Sequence, residues 1–231
     1  CSLILSRFST YFLLVAVHAV RYYFLMEKER ESVAAFMRRL YERQLTSSCG
    51  GNVSLRYGNV MLITASSTDK AVIDSSLVGA VDIESARNLT PQLRLSIETE
   101  MHRAVYLQRP DVMAVVHSHP LYASLFASAE KEIDTRILAE SYLVLGRIVR
   151  AGYALMGTEE LARNVAAAVK DADVVLMQNH GALTAGTSLL SAFEKMEVLE
   201  RTAKMNILSG VKPHVTALRT PQLEQIREVF A

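Results

Sequence analysis

The 231 residues are 50% hydrophobic and carry a formal net charge of +1, a balance that suits one globular domain with a sizeable core. Lysine and arginine are scattered rather than clustered, which excludes the basic stripe that follows a nucleic-acid backbone. Cys1 and Cys49 are the only cysteines; they cannot make a disulfide framework and form no Cys-x-x-Cys pair, so a reducing, cytoplasmic setting is expected.

The chain opens with an apolar stretch, residues 8–25, interrupted by His18 and Arg21. Polar residues at depth are expensive in lipid, which argues against a membrane span. A signal peptide is a second reading, with Arg7 as a thin basic region and Ala19 as the small cleavage residue. We favour a third. At Met26 the composition switches abruptly to Glu27-Lys28-Glu29-Arg30-Glu31, a charged helix opening, and no methionine precedes the apolar stretch. Residues 1–25 are therefore expected to stand outside the working fold, with 26–231 forming a single domain that needs no membrane.

Over residues 27–45, Val33, Phe36, Met37, Leu40 and Tyr41 recur at helical spacing and predict one buried helix face. The segment Thr46-Ser47-Ser48-Cys49-Gly50-Gly51 allows close backbone approach, and Asn52-Val53-Ser54-Leu55-Arg56 reads as a strand leaving that turn. A second strand, Val60-Met61-Leu62-Ile63-Thr64, runs into Ala65-Ser66-Ser67-Thr68. Two such loops, rich in N–H, amide and hydroxyl groups, can hold an oxyanion such as phosphate, and they serve equally well as ordinary polar turns. Ser96 then caps a helix running through Ile97, Met101, Ala104, Val105 and Leu107, with Glu98 in its first turn, where carboxylates also stand simply to suit the helix dipole.

Val112-Met113-Ala114-Val115-Val116 reads as a strand that delivers His117 and His119. In extended chain, side chains at i and i+2 share a face, so two imidazoles converge on one cation. Residues 121–129 predict a helix, while residues 140–149 are a mixed apolar segment without a clear period. Thr158 caps a helix over residues 159–169. Asp173-Val174-Val175-Leu176-Met177 is a further short apolar strand ending in Gln178-Asn179-His180-Gly181, and His180 supplies a third imidazole. A long amphipathic helix over residues 188–208 closes the series.

Zinc held for catalysis takes three protein ligands and keeps one position open, and His117, His119 and His180 meet that count, one Zn2+ per subunit. Neutral imidazoles leave the metal's charge available to polarise a bound oxygen. That suits carbanion chemistry, in which a chelated enediolate forms while a nearby carboxylate, Glu98, moves the proton. No Gly-rich nucleotide loop or Gly-x-Ser-x-Gly elbow supports a kinase, a dehydrogenase or a serine hydrolase.

Together these residues resemble the class II aldolase/adducin family, which contains fuculose-phosphate aldolases and ribulose-phosphate 4-epimerases. The resemblance rests on Gly51-Asn52-Val53-Ser54-Leu55-Arg56, Ile63-Thr64-Ala65-Ser66, Ser96-Ile97-Glu98, His117-Ser118-His119, Gly157-Thr158 and Asn179-His180-Gly181. It implies an α/β fold of three layers, α/β/α, around a central, largely antiparallel sheet, and a homotetramer with sites between neighbouring subunits. It implies zinc on the three histidines, Glu98 as acid/base residue, and Asn52, Thr64, Ser66 and Ser96 around a phosphate. The expected activity is retro-aldol cleavage of a small, fuculose-phosphate-like sugar phosphate through a zinc enediolate. The alternatives are a 4-epimerase or dehydratase of the same family, or a non-catalytic, adducin-like binding module.

Three features depart from the family pattern. The proline and glycine of its usual Ile-Thr-Pro-Ser-Gly are replaced by Ala65 and Ser67. Ser-Ser-Glu has become Ser96-Ile97-Glu98, one hydroxyl fewer. The tyrosine that a neighbouring subunit offers as proton donor in fuculose-phosphate aldolases aligns with Leu138, and Tyr142 is the nearest substitute.

Overall fold

A computed structural model describes residues 26–210 and 217–230; the expectation for residues 1–25 lies outside them. Helix α1 (Glu27–Glu42) buries Val33, Ala34, Met37 and Leu40, the face its periodicity marks. Strands β1 (Asn52–Tyr57), β2 (Val60–Thr64) and β3 (Val78–Asp82) follow as an antiparallel meander. Helix α2 (Thr99–Gln108) leads to β4 (Ala114–Ser118) and α3 (Leu121–Ala127). The segment without a clear period divides into α4 (Ala139–Leu145) and β5 (Ile148–Ala151). Then come α5 (Glu159–Ala168), β6 (Val174–Met177), β7 (Gly181–Gly186), α6 (Leu189–Ser209) and α7 (Thr220–Phe230).

Among the described residues the strands form one seven-stranded sheet in the order β3-β2-β1-β4-β7-β6-β5. Every pairing is antiparallel except β5 with β6. Each strand alternates between two cores, as period-two geometry requires. Val53, Leu62, Val116 and Ala182 pack on one face against α1, α3 and α6. Ile63, Val115, Val175 and Leu183 pack on the other against α2 and α5. The result is the expected three-layer α/β fold with a largely antiparallel sheet. No described helix is long and apolar enough to cross a membrane.

Two boundaries matter for the site. Strand β4 runs to Ser118, two residues past its expected end, so His117 lies inside the ladder. Helix α2 begins at Thr99, which puts Glu98 at the N-cap position rather than in the first turn. The Ser96 hydroxyl still accepts a hydrogen bond from the Glu98 N–H, at 3.2 Å.

Candidate active site

The centre of the sheet positions the three histidines. Asn52 pairs with His117 across β1 and β4, and Ser118 pairs with Ala182 across β4 and β7. Continuing that register sets His119 beside Gly181, with His180 at the turn just before it. Closeness is possible because residue 181 has no side chain: a Cβ there would lie 2.5 Å from the Ser118 carbonyl oxygen and 2.8 Å from His119 Cδ2. Asn179 in the same turn takes a positive φ of 53°, a conformation that asparagine tolerates better than most residues.

Three imidazoles therefore converge. Ring centroids are 4.8 Å apart for His117 and His119, 4.8 Å for His117 and His180, and 5.4 Å for His119 and His180. Their ligand atoms all lie within 4.8 Å of one another. The His117 ring is oriented by the contact of Nδ1 with the Ala182 carbonyl, at 2.9 Å, which as an N–H donor leaves Nε2 facing the cluster. Burial, aided by the neighbouring His117 and His180, lowers the His119 pKa to about 3, so this imidazole is neutral and ready to coordinate.

Glu98 closes the cluster. Its Oε2 lies 3.1 Å from His117 Nε2 and its Oε1 lies 3.1 Å from His180 Nε2. Asn52 Nδ2 donates to Oε2 at 2.8 Å and also to the Ser96 hydroxyl at 3.0 Å. Burial pushes the carboxyl upward, but His117, His180 and Asn52 together outweigh it and hold Glu98 well below the usual carboxylate range. Burial opposes protonation of His117 in turn, and Glu98 overrides it, so the His117 pKa is raised. Despite the short approach, His117 Nε2 and Glu98 Oε1 are buried without a directed hydrogen bond, as is His180 Nδ1. Orphaned nitrogen and oxygen atoms around three imidazoles fit a divalent cation, and the donor set contains no thiolate to make a closed structural site.

Below this cluster a buried chain links Ser54 Oγ to His102 Nδ1 at 2.7 Å and to the Tyr106 hydroxyl at 2.8 Å. Burial keeps His102 neutral, its pKa lowered to about 3. His102, on the helix that begins just after Glu98, is therefore a hydrogen-bonded core residue.

The cluster opens into a cavity of about 420 Å³ lined by Asn52, Ser66, Ser67, Lys70, Ser96, Ile97, Glu98, His119 and His180, with Cys49 at its rim. Of the residues expected around a phosphate, Asn52, Ser66 and Ser96 line this space. Thr64 does not: it is fully buried, and its hydroxyl accepts from the Val53 N–H at 3.3 Å. Ser67 holds φ at 55°, the left-handed conformation that favours glycine. Lys70 enters the lining without any sequence signal; it sits in an irregular loop with no period to mark it as buried. Tyr142 is on α4 with the Arg227 guanidinium 5.2 Å from its ring centroid, and is not among the lining residues.

The model of the Class II Aldolase and Adducin N-terminal domain matches residues 31–207. The chain belongs to the class II aldolase/adducin family. An L-fuculose phosphate aldolase of Methanococcus maripaludis (strain C7) is 33% identical over 174 residues, which cover 75% of this chain and 93% of the relative. A 5-deoxy-D-ribulose 1-phosphate aldolase of Bacillus thuringiensis serovar kurstaki is 32% identical, over 78% of this chain and 85% of its own. A solved L-fuculose 1-phosphate aldolase superposes with a TM-score of 0.79 at 30% identity, covering 87% of this chain and 95% of that one. Class II aldolases depend on a metal, and the histidine cluster offers a place for one. With aldolases as its relatives over most of its length, this family member is an enzyme of the aldolase type.

Proposed function

We propose that the chain is a zinc-dependent aldolase that cleaves a small, fuculose-phosphate-like sugar phosphate into dihydroxyacetone phosphate and an aldehyde. The observation that carries this reading is the single carboxylate, Glu98, set 3.1 Å from both His117 and His180. Zinc on His117, His119 and His180 would supply Lewis-acid polarisation of a carbonyl and its adjacent hydroxyl. Glu98 handles the proton at the carbon that becomes carbanionic. In condensation it takes that proton while the aldehyde oxygen gains one as the C–C bond forms. In cleavage the hydroxyl beside the breaking bond gives up its proton, while Glu98, protonated in that direction, delivers one to the carbanionic carbon. The neighbouring histidines and Asn52 hold Glu98 as a carboxylate, the form that can accept a proton. Asn52 keeps the carboxylate oriented and ties it to Ser96, while Ser66 and Ser96 offer hydroxyls to the phosphate.

We take the working form to be the homotetramer that the family resemblance implies, with a neighbouring subunit completing the site. Leu121 and Leu125 on α3, 71% and 55% exposed, supply apolar surface for such packing. We take the chain's compartment to be the reducing cytoplasm. Residues 26–231 are taken as the one working domain. The intact ligand set and Glu98 favour this reading over a non-catalytic binding module.

The test is a panel of condensations between dihydroxyacetone phosphate and several aldehydes, run with zinc-loaded and chelator-treated enzyme. Metal-dependent carbon–carbon bond formation is expected. A zinc-loaded enzyme that condenses none of them removes the aldolase assignment.

A further inference from the structure

The cavity holds a charge that the metal chemistry does not use. Lys70 is 1% exposed yet lines the same space as Ser66, Ser96 and Glu98. Its ammonium donates to the Ala65 carbonyl at 3.0 Å and to the Thr68 hydroxyl at 2.9 Å, two neutral acceptors for three N–H bonds. Among the described residues no carboxylate pairs with it; the one ionisable group acting on it is the Cys49 thiol. A buried cation without a counter-ion is costly. Burial accordingly lowers its pKa, to about 8.

The backbone shows why the lysine is held there. The Lys70 N–H donates to the Ser48 carbonyl at 2.9 Å, which fastens the loop after β2 to the loop before β1. The Ser66 N–H is spent on the Arg94 carbonyl at 2.9 Å and cannot face a ligand. In the same lining Ile97 puts a half-exposed alkyl group where a hydroxyl would serve an anion. Two donors are thus withdrawn from this end of the cavity, and one unpaired cation stands there instead.

We infer that Lys70 is the anion-binding and specificity-determining residue of this cavity, pairing with the dianionic phosphate of the substrate. The inference rests on the sugar-phosphate reading above and adds the residue that discriminates phosphorylated from unphosphorylated substrate. Lysine is suited to the task because it meets a phosphate as a point charge, whatever the hydroxyl pattern around it.

Two measurements test it, with inorganic phosphate as probe. In crystals of the metal-loaded wild type soaked with phosphate, an oxygen should lie within about 3 Å of Lys70 Nζ; phosphate bound elsewhere, an adventitious ion only, or none at all overturns the inference. In calorimetry, Lys70→Met should bind phosphate roughly tenfold or more weakly than wild type, with unchanged metal content. Its KM for dihydroxyacetone phosphate should rise by a similar factor, with kcat nearly constant. Equal phosphate affinity in a folded Lys70→Met enzyme contradicts the assignment. Phosphate binding is read without turnover, so an enzyme that binds phosphate at Lys70 but condenses no aldehyde loses the aldolase reading alone. One that condenses dihydroxyacetone phosphate with the same KM after Lys70→Met loses only the role given to Lys70.

Discussion

The two ends of the cavity are built by different means. At the metal end, His117 lies within a strand at the centre of the sheet and His119 and His180 follow from its pairings, so ladder hydrogen bonds hold the imidazoles in place. At the phosphate end, Ser66, Ser67 and Lys70 stand on one irregular loop, fastened to its neighbour by single backbone contacts. Register fixes the first within narrow limits; the second is free to exchange residues so long as an anion is still neutralised. The three departures from family pattern fall accordingly, with none at a histidine and two of them, at Ala65 with Ser67 and at Ile97, in the lining of the phosphate end.

The largest test of this contrast is Glu98→Gln. Metal should stay bound, because the three imidazoles are untouched, while kcat falls by roughly 10²–10⁴. Steady-state kinetics beside metal analysis checks both, and retained turnover takes Glu98 out of the mechanism. Next is Gly181→Ala. The added Cβ would meet the Ser118 carbonyl oxygen at 2.5 Å and the His119 ring at 2.8 Å, so the ladder must give and metal affinity should drop roughly 10–100-fold. A competitive chelator titration measures it; unchanged affinity would mean that register does not fix the metal end.

Smaller effects are expected across the cavity. Ile97→Ser restores a hydroxyl to the lining and should lower KM for the phosphorylated substrate by roughly two- to tenfold, leaving metal content alone. Ser67→Gly relieves a left-handed residue at φ 55°. The gain is offset by the extra freedom of glycine in the unfolded chain, which leaves a net stabilisation of roughly 0.5–1 kcal/mol and a melting temperature raised by a few degrees. Thermal denaturation decides the sign.

The same division governs what could be read from the residues alone. His117-Ser118-His119 is legible because period-two geometry is local, and His180 because it follows a recognisable apolar strand. Helix faces such as Val33, Met37 and Leu40 are legible for the corresponding reason at period 3.6. Strand β3 and strand β7 carry no strong alternation, being Val78-Gly79-Ala80-Val81-Asp82 and a run from Gly181 to Gly186, so only their neighbours in the sheet define them. Thr64 follows its motif in sequence, yet it is buried with its hydroxyl on the Val53 N–H. Lys70 is the opposite case: an ordinary loop lysine in sequence, made distinctive only by burial beside neutral acceptors.

The central claim is that His117, His119 and His180 form one metal centre served by Glu98. Zinc content of the purified wild type and of His117→Ala, with circular dichroism to show that both are folded, tests it most directly. The account predicts about one zinc per wild-type chain and almost none in the variant. Equal zinc in the two folded proteins would contradict it.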